Sequence, residues 1–332
     1  MNSRLWIQTL PSLHRPLPIL SFPAVHLLGV TVRQFTHDAV LQARGIRKVA
    51  ERVPSAAAVT AMDLSVEAEA FGCRVQAGDD DIPTIAGTRV PDAEAADALS
   101  VPDVGDARTG LYIDAARRAK AAVADRPVLA GLIGPYSLAG RLMDVAEALA
   151  NCLAEPGLVH AVMRKSTDFL IAYARAYKAA GLDGMMMAEP LAGLLSPALE
   201  REFSAPYVAE LVEAVQDDGF VVIYHNCGPN TPHMLDSLAA NGAAAYHFGD
   251  AVDLAGILAR MPTDKPICGN VSPSAHFLGG TPASVREATL ALLEPCASDP
   301  RFVLSSGCDI PPGSPWENID AFFQASRAFY GA

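Results

Sequence analysis

Three side chains in this chain have the types and spacing to do chemistry together. His225-Asn226-Cys227-Gly228 follows the short apolar run 220–224, and Cys308, in Ser306-Gly307-Cys308-Asp309, follows the run 302–304. Residues two apart on a strand face the same side, so His225 and Cys227 project together. One imidazole and two thiolates from two strand ends supply three zinc ligands and leave the fourth tetrahedral position open, which distinguishes a catalytic from a structural site. Two thiolates and a neutral imidazole balance the charge of Zn²⁺. A thiol entering the open position would lose its proton on coordination and stay nucleophilic. Water activation is the other use, although histidine-rich or carboxylate-bearing sites are commoner there. The competing reading is a core histidine beside an inert buried thiol. Gly228 and Gly307 let backbone come close to the site.

Other polar residues fall at comparable positions. Asp250 reads as a displaceable fourth ligand or a general base, or else as a helix cap ahead of 252–254. His247 could serve the same site or pack within its strand. Glu189, after Met185-Met186-Met187-Ala188, could orient a ligand or substrate, while the three methionines read as core. Asp63, Glu67 and Glu69 form either a substrate-facing group or a solvated helix start. Cys268 reads as a buried spectator, and Cys73, Cys152 and Cys296 have no ligand partners.

These residues need a scaffold that gathers strand ends. Apolar or β-branched runs recur at 19–25, 57–64, 127–133, Gly184–Ala188, 220–225, 244–248, 266–271 and 301–305. Between them, helical periodicity occupies 137–153, 156–180, 197–217, 231–240, 254–259, 282–293 and 314–329. Eight strands alternating with helices predict an α/β fold of the (β/α)8 TIM barrel type with an N-terminal extension. A doubly wound sheet fits the alternation too, but no G-x-G-x-x-G turn is present. Catalytic groups of such barrels sit where strands end. Asp63, Glu189, His225, Cys227, Asp250, Asn270 and Cys308 all fall there. Residues 1–15 read as a leading arm, 75–112 as a long excursion after the second strand, and 1–332 as one domain.

At 332 residues, with 51% hydrophobic and 19% charged residues, the composition is globular. A net charge of −12 argues against nucleic acid or an anionic membrane as partner. The six cysteines lack disulfide-framework spacing. The segment 17–30 holds Pro18, Pro23 and His26 and is too short to span a bilayer. No signal-peptide series opens the chain, and the expected location is cytoplasmic.

Longer motifs carry a resemblance. They are Met62-Asp63-Leu64-Ser65-Val66-Glu67-Ala68-Glu69-Ala70-Phe71-Gly72-Cys73, Gly134-Pro135-Tyr136-Ser137-Leu138-Ala139, Ala205-Pro206-Tyr207, His225-Asn226-Cys227-Gly228, Gly269-Asn270-Val271 and Ser306 to Gly313. With them the chain resembles the uroporphyrinogen decarboxylase superfamily, and within it the zinc-dependent corrinoid methyltransferase branch, which includes methylcobamide:coenzyme M methyltransferases. The resemblance implies zinc on His225, Cys227 and Cys308, with Asp250 as a displaceable fourth ligand. Alongside these ligands, Glu189 is expected to give catalytic support, and Asp63, Asn270 and Tyr136 to bind substrate. The reaction implied is methyl transfer between a corrinoid (cobalamin) and a thiol, or from a methylated ether, alcohol or amine. The chain shows no D-x-H-x-x-G cobalamin motif, so the corrinoid is expected on a separate protein. The decarboxylase branch carries an R-Q-A-G-R element where this chain reads Ser21-Phe22-Pro23-Ala24-Val25. That departure counts against the first rival, a metal-free decarboxylase-like lyase. A second rival is a non-catalytic metal- or corrinoid-binding barrel.

Overall fold

The computed structural model describes residues 2–331. Nine strands occur among them: β1 (Ala58–Val59), β2 (Arg74–Gln76), β3 (Thr84–Ala86), β4 (Val128–Ile133), β5 (Gly184–Ala188), β6 (Val221–Asn226), β7 (Ala245–Phe248), β8 (Ile267–Val271) and β9 (Phe302–Ser306). Seven of them form one parallel sheet in the order β1-β4-β5-β6-β7-β8-β9, and β2 and β3 form a separate antiparallel hairpin. The large sheet is buried on both faces, which is why its strands read as continuous apolar runs.

Alternation along each strand separates two cores. Val59, Leu129, Met186, Val221, Ile223, Ala245, Cys268 and Val303 gather in one apolar cluster. Their neighbours Ala130, Met185, Met187, Val222, Tyr224, Tyr246, Ile267 and Leu304 join the core under the helices. His225, His247 and Ser305 have the parity of the first set, so they stand on the same face as that inner cluster, near the strands' C-terminal ends. The helix Ser3–Thr9 adds Trp6 and Ile7 to the inner cluster, so the leading arm packs against the sheet.

The first expected strand, 19–25, is not one. Residues Ala24–Leu28 are helical, and the sheet has seven strands rather than eight among the described residues. Pro16 and Pro18 have no N–H to give a ladder. The extended stretch around them is still bonded on both sides: Leu17 N–H donates to Leu304 O at 2.9 Å and Ala56 N–H to Pro16 O at 2.8 Å. The second expected strand shrinks to Ala58–Val59. Just beyond it, the Thr60 side-chain oxygen accepts the Gly131 N–H at 2.9 Å, where a backbone carbonyl would have continued the ladder.

Several helical segments are also subdivided. The segment 137–153 becomes Pro135–Met143 and Val145–Ala154, broken at Asp144 with φ +79°. Its carboxylate caps the second helix by accepting from Ala146 N–H at 2.9 Å. The segment 197–217 divides at Ser204. The excursion 75–112 holds most of the hairpin, the helix Ala93–Ala98 and the start of Thr109–Ala122. Helix Ala39–Arg52, capped by Asp38, has no counterpart in the sequence reading. No helix among the described residues is long and apolar enough to cross a membrane.

Ile223, in the inner cluster, is fully buried. Ile223→Ala should lower unfolding free energy by about 2–5 kcal/mol, read from urea denaturation, because both transfer energy and a cavity are at stake.

Candidate metal centre

β6 ends at Asn226, and the turn that follows is held by side chains. Asn226 Oδ1 accepts Gly228 N–H at 2.9 Å and the Thr231 hydroxyl at 3.0 Å. This fixes Cys227 between a strand and a tethered turn. β9 ends at Ser306, and Gly307 N–H donates to Val271 O at 2.7 Å, which leads Cys308 back over the sheet. Ligand atoms of His225, Cys227 and Cys308 all lie within 4.8 Å of one another. Cys308 Sγ is 3.4 Å from His225 Nε2. A tetrahedral zinc with ordinary Zn–S and Zn–N bonds has a nitrogen–sulfur edge of about 3.6 Å, so the spacing fits the ion. The donor set fits it as well.

Glycines let the loops converge. A Cβ on Gly249 would lie 2.3 Å from Cys227 Cβ, and one on Gly307 would lie 2.8 Å from Asp250 Oδ1. Asp250 itself is exposed and stands outside the three-residue group. Its charge acts on Cys227, so it borders the site from the loop after β7. A hydrogen bond with Cys308 holds the Cys227 thiol below its ordinary value, and that same contact pushes Cys308 up to about 12. One proton between the two sulfurs accounts for both directions. Asp309, next along the chain, buries both carboxylate oxygens without a hydrogen-bond partner among the described residues; burial raises its pKa well above the usual carboxylate range.

His225 is backed by protein rather than solvent. Its Nδ1 lies 2.8 Å from His247 Nδ1 and 3.3 Å from His247 O, and His247 Nε2 lies 2.7 Å from Ser305 Oγ. Burial, and then the neighbouring His225, lower the pKa of His247 well below its ordinary value. Sequence reasoning left His247 undecided and did not single out Ser305. Strand parity was the available signal for both.

The remaining expected residues have definite places. Glu189 is fully buried; its carboxylate accepts from Ser137 N–H at 2.6 Å, the Ser137 hydroxyl at 2.7 Å and Tyr136 N–H at 3.2 Å. It therefore caps the helix Pro135–Met143 from the end of β5, with burial raising its pKa to about 7. Tyr136 contributes that backbone N–H, while its hydroxyl lies 3.3 Å from Cys152 Sγ inside the protein. Asn270 Nδ2 donates to Gly249 O and Val252 O, both at 2.9 Å, and so ties down the loop that carries Asp250.

Asp63 and Glu67 are buried, not a solvated helix start. Asp63 accepts from Ser65 N–H, the Ser65 hydroxyl at 2.6 Å, Arg108 Nη1 at 2.5 Å and the Tyr112 hydroxyl at 2.8 Å. Arg108 also donates to Glu69 at 2.6 Å. Sequence reasoning missed Arg108 because it lies in the aperiodic excursion. Glu67 accepts from Ile133 N–H at 3.2 Å through one oxygen, while the other has no partner among the described residues.

Two measurements test this geometry. Gly249→Val should weaken metal binding by more than tenfold, read by chelator competition, because the new side chain meets Cys227. Burial raises Glu67 from 4.5 to about 7. A carboxyl raised on folding stabilises the fold below its unfolded value, and that contribution is lost as pH climbs through the folded value. Stability should therefore fall between about pH 4.5 and 7, and Glu67→Gln should flatten that part of the denaturation profile.

The uroporphyrinogen decarboxylase (URO-D) family model matches residues 21–329. Among curated relatives, Methylcobamide:CoM methyltransferase MtbA of Methanosarcina acetivorans is 27% identical over 275 residues, covering 80% of this chain and 78% of the relative. Uroporphyrinogen decarboxylase of Coxiella burnetii is 28% identical over 287 residues, covering 84% and 78%. A solved methyltransferase structure from Methanosarcina mazei superposes with a TM-score of 0.85 at 24% identity, covering 97% of this chain and 98% of the other; that likeness speaks to the fold. This chain belongs to the uroporphyrinogen decarboxylase family.

Proposed function

We propose that the protein is a zinc-dependent methyltransferase that moves a methyl group between a corrinoid and a thiol, or a methylated oxygen, nitrogen or sulfur substrate. The corrinoid is carried by a separate protein that docks at the C-terminal end of the sheet. One observation carries the reading: a nitrogen and two sulfurs, from His225, Cys227 and Cys308, all within 4.8 Å of one another. The two kinds of curated relative are almost equally similar, so overall likeness does not choose between them. The donor set favours the methyltransferase reading, because a metal-free lyase has no use for it. The Methanosarcina relative's name, which pairs a methylcobamide with CoM, agrees with that choice. Zinc held by this set supplies a soft Lewis acid at which a thiol ionises near neutral pH, or on which a leaving heteroatom is neutralised.

The chain's own residues do the positioning. Asp250, on the exposed loop near Cys227, would be the carboxylate that an incoming substrate displaces. Asn270 holds the Asp250 loop through two carbonyls and offers its remaining oxygen toward substrate. Glu189 and the Ser137 and Tyr136 N–H groups fix the helix after β4 against the strand ends. Orientation of two soft centres supplies much of the rate, since productive alignment is worth up to roughly 7–11 kcal/mol in well-oriented systems. The stretch around Pro16 to Pro18, bonded to β9 on one side and to the approach to β1 on the other, supports a closed barrel in which it takes the eighth place.

The lyase alternative needs Asp63 to stabilise positive charge on a substrate. That carboxylate already accepts four hydrogen bonds, two of them from Arg108 and Tyr112. On our reading Asp63 serves the substrate pocket by fixing those two side chains.

Zinc content gives the first test. About one zinc per chain is expected, lost in Cys308→Ser; content unaffected by changing His225, Cys227 or Cys308 would remove the basis of the reading. Methylcob(III)alamin with candidate thiols should give the cob(I)alamin spectrum, and Co(I) with methoxyaromatics, methanol or methylamines tests the opposite half-reaction. Zinc binding with no turnover of any donor or acceptor would leave a binding barrel instead.

A further inference from the structure

A file of buried side chains joins His225 to a backbone carbonyl of the N-terminal segment. His225 Nδ1 lies 2.8 Å from His247 Nδ1, His247 Nε2 lies 2.7 Å from Ser305 Oγ, and Ser305 Oγ lies 2.6 Å from Leu17 O. The three side chains are at most 1% exposed, so bulk water offers them no alternative partners. Two ring nitrogens at hydrogen-bond distance share one proton, with one donating and the other accepting.

The direction of sharing is set from the far end. Leu17 O can only accept, and a serine hydroxyl carries one hydrogen. Ser305 therefore donates to Leu17 O and accepts from His247 Nε2–H. That leaves His247 Nδ1 bare, and it accepts from His225 Nδ1–H. The reverse order would put two oxygens 2.6 Å apart with no hydrogen between them, an unmade bond that buried polar atoms rarely tolerate. A second contact agrees: His225 Nδ1 also faces His247 O at 3.3 Å, and a carbonyl accepts only from a protonated nitrogen. Leu17 is well suited as the anchor. It precedes Pro18, which restricts it to extended backbone, and its N–H is bonded to Leu304 O at 2.9 Å.

We propose that His247 and Ser305 are positioning residues: anchored on the Leu17 carbonyl, they hold His225 as its Nδ1–H tautomer and leave the Nε2 lone pair facing Cys308 and the metal position. The stretch just ahead of the expected first strand thus acts as the fixed end of a relay that sets the chemistry of a ligand. The hydrogen-bond order stands on geometry alone; its consequence for metal affinity rests on the zinc reading above. Such outer partners of a ligating histidine fix its ring and raise its basicity, and their loss typically costs 10–100-fold in metal affinity.

The test separates these two layers. In metal-free, ¹⁵N-histidine-labelled protein, imidazole NMR correlations should show His225 protonated on Nδ1 and bare on Nε2. A proton on Nε2 would overturn the relay. Ser305→Ala should shift His225 toward a mixture of tautomers and weaken zinc binding about 10–100-fold by chelator competition. His247→Phe, which keeps an aromatic ring without nitrogen, should do the same. His247→Gln, which can accept from His225 and donate to Ser305, should restore affinity to within a few-fold. Circular dichroism and thermal melting of each metal-free variant monitor the fold. Wild-type zinc affinity in folded Ser305→Ala and His247→Phe would overturn the positioning role. Wild-type protein with the expected tautomer but no zinc binding would overturn the metal reading and leave the relay standing.

Discussion

The structure depends on polar side chains standing at the end of an otherwise apolar interior. The parity that puts Val221 and Ile223 inside β6 also puts His225 inside; likewise Ala245 precedes His247, and Val303 precedes Ser305. Buried polar groups are costly without partners. Here His225, His247, Ser305 and the Leu17 carbonyl pair with one another, while the outward nitrogen of His225 faces sulfur. Strand period, burial and hydrogen-bond demand therefore converge on one oriented imidazole.

Around that imidazole, neighbouring loops are braced by different devices. Asn226 ties the turn after β6, and Asn270 ties the loop after β7 from the end of β8. Glu189 lashes β5 to the helix after β4. Asp63 and Arg108 link the loop after β1 to the excursion. Each brace is a polar side chain satisfied by backbone or by a charge partner, which lets loops hold position without a deep apolar core of their own. Gly249 and Gly307 complete the arrangement by omission, because a Cβ at either would meet Cys227 or Asp250.

Much of the site was legible because its signals are local. His225 and Cys227 are two apart at the end of an apolar run, and Cys308 ends another. The carboxylates and amides at strand ends follow from the same count. Asp63, Glu189 and Asn270 were found by position and Tyr136 within a motif that carries the family resemblance, but their bonding was not readable. The partners of Asp63 lie in an aperiodic stretch, those of Glu189 are backbone N–H groups, and Asn270 reaches carbonyls of another loop. The prolines at 16 and 18 were visible, yet an apolar run beside them still read as a strand, since hydropathy does not register a missing N–H.

The sequence by itself determined which residues alternate inward, where strands end, and that one nitrogen and two sulfurs were available in suitable order, because these depend on period and residue type. Tertiary structure alone decided that β6 and β9 deliver those atoms to within 4.8 Å of each other, that His247 and Ser305 stand behind His225, and that a non-strand segment supplies the final acceptor. Those facts depend on curvature of the sheet and on register between strands distant in sequence, for which no local pattern carries a record.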